Sequence, residues 1–170
     1  LVPVFPVAQT AFGNGGNPWP IDSTAVTRIE AEDFDQGGPD VAYQDADSIN
    51  QGGAYRSEDV DIQSTTDTGL GFNVGAFVAG EWLEYTINVA AAGTYQVRFR
   101  TARAPAGSST LRVLVDGVDK TGNVTIPRTV GWQTWTTVTK AGVSLEAGTH
   151  TLRVEVVGGD FNLNWIEIAP

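Results

Sequence analysis

The alternation of apolar and polar side chains with a period of two residues is the feature that most constrains this fold. Residues 94–100 read Thr-Tyr-Gln-Val-Arg-Phe-Arg, and residues 110–115 and 150–156 alternate in the same way. Successive side chains of a strand point to opposite faces, so this pattern is typical of strands with one buried face. No segment has the period of a convincing helix. The sequence therefore predicts an all-β chain.

Glycine-containing turns separate the alternating runs, at residues 92–94, 116–117, 147–149 and 158–160. Short strands joined at regular intervals by such turns predict two packed antiparallel sheets, a β-sandwich of jelly-roll type. The length of 170 residues suits one domain whose core needs no disulfides, and the chain has no cysteine.

Residues 1–27 differ in character from the rest, because prolines and glycines there are interspersed with apolar residues. We expect an extended lead-in that packs on the module, with a linker or disordered tail as the alternative. Residues 28–170 are then the β-sandwich itself. The apolar positions that favour packing over a free linker are Leu1, Val2, Val4, Phe5 and Val7.

Composition excludes several classes of function. Without cysteine or methionine and with a single histidine, the chain lacks the ligands of zinc clusters, so a bound metal must rely on oxygen. A net charge of −10 with ten lysines and arginines argues against nucleic acid and against highly anionic polysaccharides. No apolar run approaches the roughly 20 residues that cross a bilayer, so no membrane partner is expected.

Two stretches near opposite ends of the chain place oxygen-bearing side chains two residues apart. They are Glu30 with Glu32, and Asn162 with Asn164. Side chains at this spacing share one face of a strand, so the oxygens converge if the two strands pair. A hard cation satisfies such oxygens beside apolar neighbours, which predicts a structural calcium site. The alternative is that Glu30 and Glu32 face water on an edge strand.

Aromatic residues beside glycines are candidates for ligand binding. Trp132 follows a turn and is expected at the surface, whereas Trp135, three residues later, is expected to be packed. Phe72 lies between glycines at 71 and 75. An exposed ring stacks on the C–H face of a pyranose while nearby amides bond the hydroxyls. The alternative is that Phe72 and Trp132 plug the ends of the core.

The acidic and histidine residues do not form a recognisable catalytic set. Glu81 and Glu84 differ by three positions, so on a strand they face opposite ways and cannot act as a glycosidase pair. His150 has no nucleophile or acid placed to activate it. The acidic stretch 43–50 is expected to be a solvated loop. The strand that contains Glu84 should bury Leu83, Tyr85, Ile87 and Val89.

Seven motifs in order along residues 26–168 resemble a known family. They lie at residues 29–34, 54–57 with 60–62, 71–75, 80–85, 131–135, 147–152 and 161–166. Together they look like the successive signatures of a family six carbohydrate-binding module. The resemblance implies a jelly-roll β-sandwich, a structural calcium and a sugar cleft among the loops at one end. It also implies a non-catalytic role beside a polysaccharide-degrading enzyme.

The resemblance also implies site residues, carried over position by position. Phe72 and Trp132 are expected to sandwich a sugar, with Asn162 as a hydrogen-bonding partner. Phe72 departs from the tyrosine that is common in related modules. Gln63 stands where related modules often carry a glutamate that faces the sugar.

The metal ligands implied by the same comparison are the side chains of Glu30, Glu32 and Asn164 and the backbone carbonyl of Arg56. The guanidinium of Arg56 is expected to anchor its loop. Asn164 is often aspartate in related modules, so this site has one negative charge fewer.

These inferences predict a secreted, monomeric, non-catalytic module that tethers a covalently linked catalytic domain to a neutral polysaccharide. A β-glucan, agarose or xylan suits the acidic surface, and a loop cleft suits one or two sugar units at a chain end. Two alternatives remain, a small jelly-roll polysaccharide lyase and a structural module that contacts protein.

Overall fold

Thirteen strands in two sheets make up most of the computed structural model, which describes residues 8–170. The strands are β1 (Trp19–Ile21), β2 (Thr27–Glu30), β3 (Tyr43–Gln44), β4 (Ile62–Ser64), β5 (Phe72–Val78), β6 (Trp82–Val89), β7 (Gly93–Arg103), β8 (Ser109–Val115), β9 (Val118–Asp119), β10 (Val124–Ile126), β11 (Gly131–Leu145), β12 (Gly148–Gly158) and β13 (Asp160–Ala169). Within residues 8–170, helical structure is confined to one short turn, α1 (Gly13–Gly16), and a 3-10 turn (Ala31–Asp33).

The two sheets have seven and six strands. The first has the order β1-β6-β12-β8-β10, with β3 also paired to β6 and β9 to β8. The second has the order β11-β7-β13-β5-β4, with β2 also paired to β13. The predicted all-β sandwich is confirmed. Its pairs are antiparallel except for β1 and β6, which run parallel and place Trp19 beside Ile87.

The core lies between the sheets, where the apolar faces of the alternating strands meet. The four core positions predicted for β6 are confirmed, since Leu83, Tyr85, Ile87 and Val89 are at most 2% exposed. Burial of these large side chains is the main stabilising contribution to the sandwich.

The segment predicted as a lead-in contributes to the sandwich through the residues that the structure describes. Residues 19–21 form β1, and Ile21 is fully buried. Thr10 forms a backbone bridge with Gln36. The apolar positions at residues 1–7 lie outside the described residues. Within residues 8–170, no helix has the length and apolar character required to span a membrane.

The 3-10 turn interrupts a stretch that strand periodicity had predicted to be extended. Strand β2 ends at Glu30, and Ala31–Asp33 then turns instead of continuing the ladder. Buried donors hold the turn: the hydroxyl of Tyr85 donates to the Ala31 carbonyl at 2.8 Å, and the Arg56 guanidinium donates to the carbonyls of Glu32 and Phe34. The predicted anchoring role of Arg56 is confirmed, but Glu30 and Glu32 are not successive members of one strand face.

The hydrogen bond from Tyr85 to Ala31 crosses the sandwich, and its loss should be costly. In Tyr85→Phe the carbonyl of Ala31 stays buried without its donor, so we expect the free energy of unfolding to fall by about 1–3 kcal/mol. Urea unfolding followed by tryptophan fluorescence measures this change.

Tyr95→Phe is the matched control for this prediction. The Tyr95 hydroxyl donates to the Ala91 carbonyl at 2.7 Å, only four residues away along the chain, so it joins no distant elements. We expect the smaller loss for Tyr95→Phe. Equal losses for the two variants would contradict a special role for the bond across the sandwich.

Candidate functional site

Two adjoining cavities lie along the β4–β5 side of the six-stranded sheet and are the candidate site. The larger, called here the Trp132 cavity, has a volume of about 310 Å³. The smaller, called the Asp61 cavity, has a volume of about 130 Å³. The Trp132 cavity is lined by Gln63, Ala76, Val78, Trp132, Asp160 and Asn162. The Asp61 cavity is lined by Gln51, Gly52, Asp61, Gln63, Gly75 and Ala76.

Trp132 gives the larger cavity its aromatic wall. It follows a turn in which Val130 has a φ of 65°, and it is the second residue of β11. The side chain is 39% exposed, as predicted, while Trp135 is only partly buried. The carbonyl of Trp132 accepts a hydrogen bond from Asn162 Nδ2 at 2.7 Å, which fixes the backbone that carries the ring.

Asn162 lines the cavity from β13 and is 2% exposed. Its Oδ1 accepts a hydrogen bond from the Ala76 N–H at 3.1 Å, and its Nδ2 donates to Trp132. From β13, the amide therefore bonds to β5 and to the start of β11. An amide can make four hydrogen bonds, so one N–H and one lone pair remain for a ligand.

Gln63 reaches both cavities from β4. Its side chain lies close over Gly75, where an added Cβ would meet the Gln63 Cδ and Nε2 at 3.2 Å. Among the hydrogen bonds of residues 8–170, none uses the side-chain amide of Gln63. This amide is the least committed polar group of the site and is available to a ligand hydroxyl.

Phe72 does not line either cavity, which corrects the predicted pair of rings. On β5 it has the same parity as Val74, which is 1% exposed, so both side chains point to the core side of the sheet. Phe72 packs against the core, and its ring centroid lies 5.0 Å from that of Tyr55. The cavity therefore has one aromatic wall, and Ala76 lines it where no second ring is present.

Asp160 is a site residue that the sequence reasoning missed. It lines the Trp132 cavity, and its Oδ1 lies 3.3 Å from a guanidinium nitrogen of Arg103. Its carbonyl accepts hydrogen bonds from Arg103 at 2.9 Å and from Ser109 at 2.7 Å, so the backbone is rigidly held. The glycines before Asp160 indicated only a turn, although the residue directly precedes the motif at 161–166.

A loop that approaches β4 closely forms the outer wall of the Asp61 cavity. The Gln51 N–H donates to Asp61 Oδ1, and the Gln51 side chain donates to Asp47 at 3.0 Å. Gly52 is required here, because a Cβ would lie 2.0 Å from the Ile62 carbonyl oxygen. Burial, together with the charge of Asp47, raises the pKa of Asp61.

The predicted metal ligands Glu30 and Glu32 lie at the end of β2 and in the 3-10 turn. Glu32 is 5% exposed, and its Oε2 has no hydrogen-bond partner among the described residues. Burial raises the pKa of Glu32 to about 8, and the charges of Glu30 and Asp33 add to this effect. Burial also raises the pKa of Glu30. A buried carboxylate oxygen without a donor is the environment that a cation satisfies.

The other predicted ligands are an amide and a carbonyl that each retain acceptor capacity. Strand β13 pairs with β2 as predicted, and Trp165 lies opposite Glu30. Asn164 directly precedes Trp165 on β13. Asn164 is 3% exposed and donates through Nδ2 to Asp67 at 2.8 Å, which leaves its Oδ1. The Arg56 carbonyl accepts from Asn50 at 3.0 Å and has a second lone pair.

This set of oxygens fits a hard cation such as calcium, which binds carboxylate, amide and carbonyl oxygens. Only two of its members are carboxylates. In the part of the chain that the structure describes, no three histidine, cysteine or acidic side chains form a metal-binding group. The amide and carbonyl oxygens are therefore essential to the predicted site.

The acidic residues of the 81–84 stretch have structural partners. The buried carboxylate of Glu81 accepts hydrogen bonds from the Ala46 and Val78 N–H groups, both at 2.9 Å, and burial raises its pKa to about 7. Glu84 pairs with Arg153 at 2.6 Å. The residues that line the two described cavities include no histidine, lysine, arginine or tyrosine.

Comparison with known proteins gives consistent matches. Residues 51–170 match the family described as carbohydrate binding module (family 6). The chain is 34% identical over 115 residues to the clotting factor G alpha subunit of Tachypleus tridentatus, which covers 67% of the chain and 17% of that protein. The chain thus spans only a small part of this relative.

Two solved structures support the same relationship. A carbohydrate-binding module of Cellvibrio mixtus lichenase 5A, in complex with cellotriose, is 34% identical with a TM-score of 0.62, over 83% of this chain and 94% of that one. The C-terminal module of the laminarinase LamC from Zobellia galactanivorans is 28% identical with a TM-score of 0.65, over 86% and 100%. With the family match over residues 51–170, they show that the chain belongs to family 6 of the carbohydrate-binding modules.

Proposed function

We propose that this module holds a polysaccharide-degrading enzyme on a neutral glycan by stacking a sugar unit on Trp132. The observation that carries the proposal is the fixed, partly exposed indole in a cavity with amide and carboxylate groups. An indole face packs against the C–H face of a pyranose, and Gln63 and Asp160 offer acceptors and donors to its hydroxyls.

The dimensions of the cavity suit weak binding of a short stretch of sugar. A cavity of about 310 Å³ is at the small end of ligand pockets and suits one or two sugar units. With few immobilised contacts, we expect dissociation constants of about 10 µM to 1 mM, or roughly −4 to −7 kcal/mol. One ring in place of two favours the weaker part of this range.

The charge of the site favours neutral glycans. Asp160 and Asp61 accept hydrogen bonds from hydroxyls but repel sulfates and uronates, and the whole chain carries a net charge of −10. β-Glucan, agarose and xylan all meet this requirement. The cellotriose bound by the lichenase module supports a glucan as the ligand. Agarose is also a candidate, because the β-agarase AgaA of Microbulbifer thermotolerans is a relative at 32% identity.

Weak binding becomes useful through tethering. A linked catalytic domain experiences a high local concentration of substrate while the module stays bound. The relatives support such a link, because the matched region is 17% of the clotting factor subunit and 24% of the β-agarase. The module acts as a monomer outside the cell, where polymeric glycans are found.

Trp132→Ala should abolish most of the binding. Removal of the stacking surface is expected to cost about 2 kcal/mol, a roughly thirtyfold loss of affinity. Affinity electrophoresis in gels that contain laminarin, agarose or xylan, followed by titration calorimetry, measures the loss.

Val130→Ala is the control for this experiment, since Val130 is 70% exposed and two residues away but does not line the cavity. It should bind like the wild type. Undiminished binding by Trp132→Ala would refute the assigned site. A wild-type module that no glycan retards, but that captures a protein, would favour the protein-contacting alternative.

Calcium is the second part of the proposal, with Glu30, Glu32, Asn164 and the Arg56 carbonyl as its ligands. When bound, the ion neutralises the two carboxylates. The unpartnered Glu32 Oε2 supports this assignment. The 3-10 turn and the loop around Arg56 are far apart in sequence, so a shared ion joins two segments and stabilises the fold.

Calcium should raise the melting temperature, and a chelator should lower it. At 100 times the dissociation constant the expected stabilisation is about 2.7 kcal/mol. In the metal-free chain the raised pKa means that ionisation of Glu32 costs stability as the pH rises from the usual carboxyl range through about 8. Calcium removes that cost, so its stabilising effect should grow with pH over the same window.

Glu32→Gln and Glu167→Gln form a matched pair for this test. Glu167 pairs with Arg28 at the surface of the same sheet and is outside the proposed ligand set. Only Glu32→Gln should lose the calcium response. A melting temperature that chelator leaves unchanged in the wild type would contradict the calcium site.

A further inference from the structure

We propose that residues 9–12 of the lead-in act as a clasp that holds together the segments of the proposed calcium site. This segment, called here the lead-in clasp, supplies none of the proposed ligands and precedes the family match over residues 51–170. The inference rests on the calcium part of the proposed function and extends it to residues that do not touch the ion. Phe12 is the central positioning residue of the clasp.

Two of the segments that carry proposed ligands are far apart in sequence. Glu30 and Glu32 lie at the end of β2 and in the 3-10 turn, whereas the Arg56 carbonyl belongs to the loop of residues 50–56. Among residues 8–170, no strand ladder joins these two segments. Side-chain contacts therefore have to fix the distance between them.

The Arg56 side chain provides the direct connection. It is 2% exposed, and its guanidinium donates to the carbonyls of Glu32 and Phe34 and to the Glu58 carboxylate at 2.7 Å. The Arg56 backbone carries one proposed ligand, and Glu32 carries another. The hydrogen bonds of the guanidinium therefore set how closely these two ligands approach.

Phe12 reaches this guanidinium from the lead-in. The central guanidinium carbon of Arg56 lies 3.9 Å from the centroid of the Phe12 ring and 3.8 Å from that of the Phe34 ring. A cation over an aromatic face is attracted more strongly where water is excluded. Without the Phe12 ring, water gains access to the guanidinium and competes for the bonds that connect the two segments.

Phe12 also supports a second connection between the same segments. Its ring meets that of Tyr55 edge to face, with the centroids 6.1 Å apart and the planes at 89°. The Tyr55 hydroxyl donates to Asp33 Oδ1 at 2.7 Å and so joins the loop of residues 50–56 to the 3-10 turn. Tyr55 has a φ of 64°, a left-handed conformation that a large residue keeps only where its surroundings fix it.

The other residues of the lead-in clasp attach it directly after the 3-10 turn. The Thr10 N–H donates to the Gln36 carbonyl at 3.0 Å, and the Gln36 N–H donates to the Thr10 carbonyl at 2.8 Å. The Gln9 side chain donates to Asp35 Oδ2 at 2.9 Å. The clasp is therefore anchored at residues 35–36 and reaches Arg56 through Phe12, so it spans both segments.

This arrangement couples the lead-in clasp to calcium binding. A contact that favours the arrangement with the ligand oxygens close together strengthens calcium binding, and calcium strengthens that contact by the same factor. Loss of the clasp should therefore weaken calcium binding by the folded protein. A segment that added only to overall stability would leave this affinity unchanged.

The test is calorimetric titration of the 170-residue chain with calcium, at a temperature where circular dichroism shows each variant to be folded. Phe12→Ala removes the ring and should weaken calcium binding by about tenfold. Phe12→Leu keeps an apolar side chain without an aromatic face and should also bind calcium more weakly. Phe12→Tyr keeps the ring and should bind calcium like the wild type.

Asn17→Ala and Val124→Ala are the matched controls. Asn17 belongs to the same lead-in, but its side-chain hydrogen bonds stay within residues 14–17. Val124 is a buried residue of β10, at the edge of the seven-stranded sheet opposite β1, so its truncation lowers stability away from the clasp. Both variants should bind calcium with the affinity of the wild type.

Hydrogen exchange of the wild type tests the reciprocal effect and needs no variant to fold. The amides of Thr10 and Gln36 should exchange about tenfold more slowly with calcium than with chelator, whereas the amides of β10 should change little. This measurement decides the outcome if Phe12→Ala and Phe12→Leu do not fold.

Failure of the clasp and failure of the calcium site give different results. A wild type that binds no calcium refutes the site, and the clasp with it. The clasp alone is overturned if the wild type binds calcium but Phe12→Ala and Phe12→Leu bind it equally tightly, or if calcium does not slow exchange at Thr10 and Gln36. An equal loss of affinity in Val124→Ala also overturns the clasp, because calcium affinity would then follow overall stability.

Discussion

Two asparagines buried two residues apart on the last strand are the constraint on which both candidate sites depend. Asn162 and Asn164 are 2% and 3% exposed, so their amides need partners inside the protein. Asn162 finds them in the backbone of Ala76 and Trp132, and Asn164 donates to Asp67. The pairing register of β13 shifts next to both residues, against β5 and against β7. One irregular strand thus holds the wall of the Trp132 cavity and supplies a proposed metal ligand.

The loop of residues 50–56 contributes to both candidate sites. The Asn50 side chain donates to the carbonyls of Ala54 and Arg56 and accepts from the N–H groups of Gly53 and Ile62. Arg56 provides the carbonyl proposed as a metal ligand, and Gln51 lines the Asp61 cavity. An ion at Arg56 would therefore restrain the loop that forms the outer wall of that cavity.

The sequence was sufficient where periodicity or the family motifs carried the information. Alternation identified the sandwich and the buried face of β6, and the family resemblance indicated Gln63, Trp132 and Asn162, which the structure brings into one cavity. The parity of Phe72 with Val74 was also readable, and it argued against an exposed ring there. The resemblance to the family instead implies an aromatic residue in the cleft at this position.

Other features had no readable local signal. The 3-10 turn after Glu30 depends on donors from Tyr85 and Arg56, which are distant in sequence. The positive φ of Ala76 depends on a pairing irregularity, and an alanine in a sequence gives no indication of such a conformation. The sequence indicated only a turn at Asp160. Its position in the cavity is set by hydrogen bonds from Arg103 and Ser109, which are distant in sequence.

Among residues 8–170, the edge of β6 away from β12 is covered only by β1 and β3, of three and two residues. Proline at position 20 gives β1 no N–H at its centre, so this margin offers little to a strand from another molecule. When several copies lie close together on one polysaccharide, this short and partly proline-blocked margin disfavours pairing between their sheet edges.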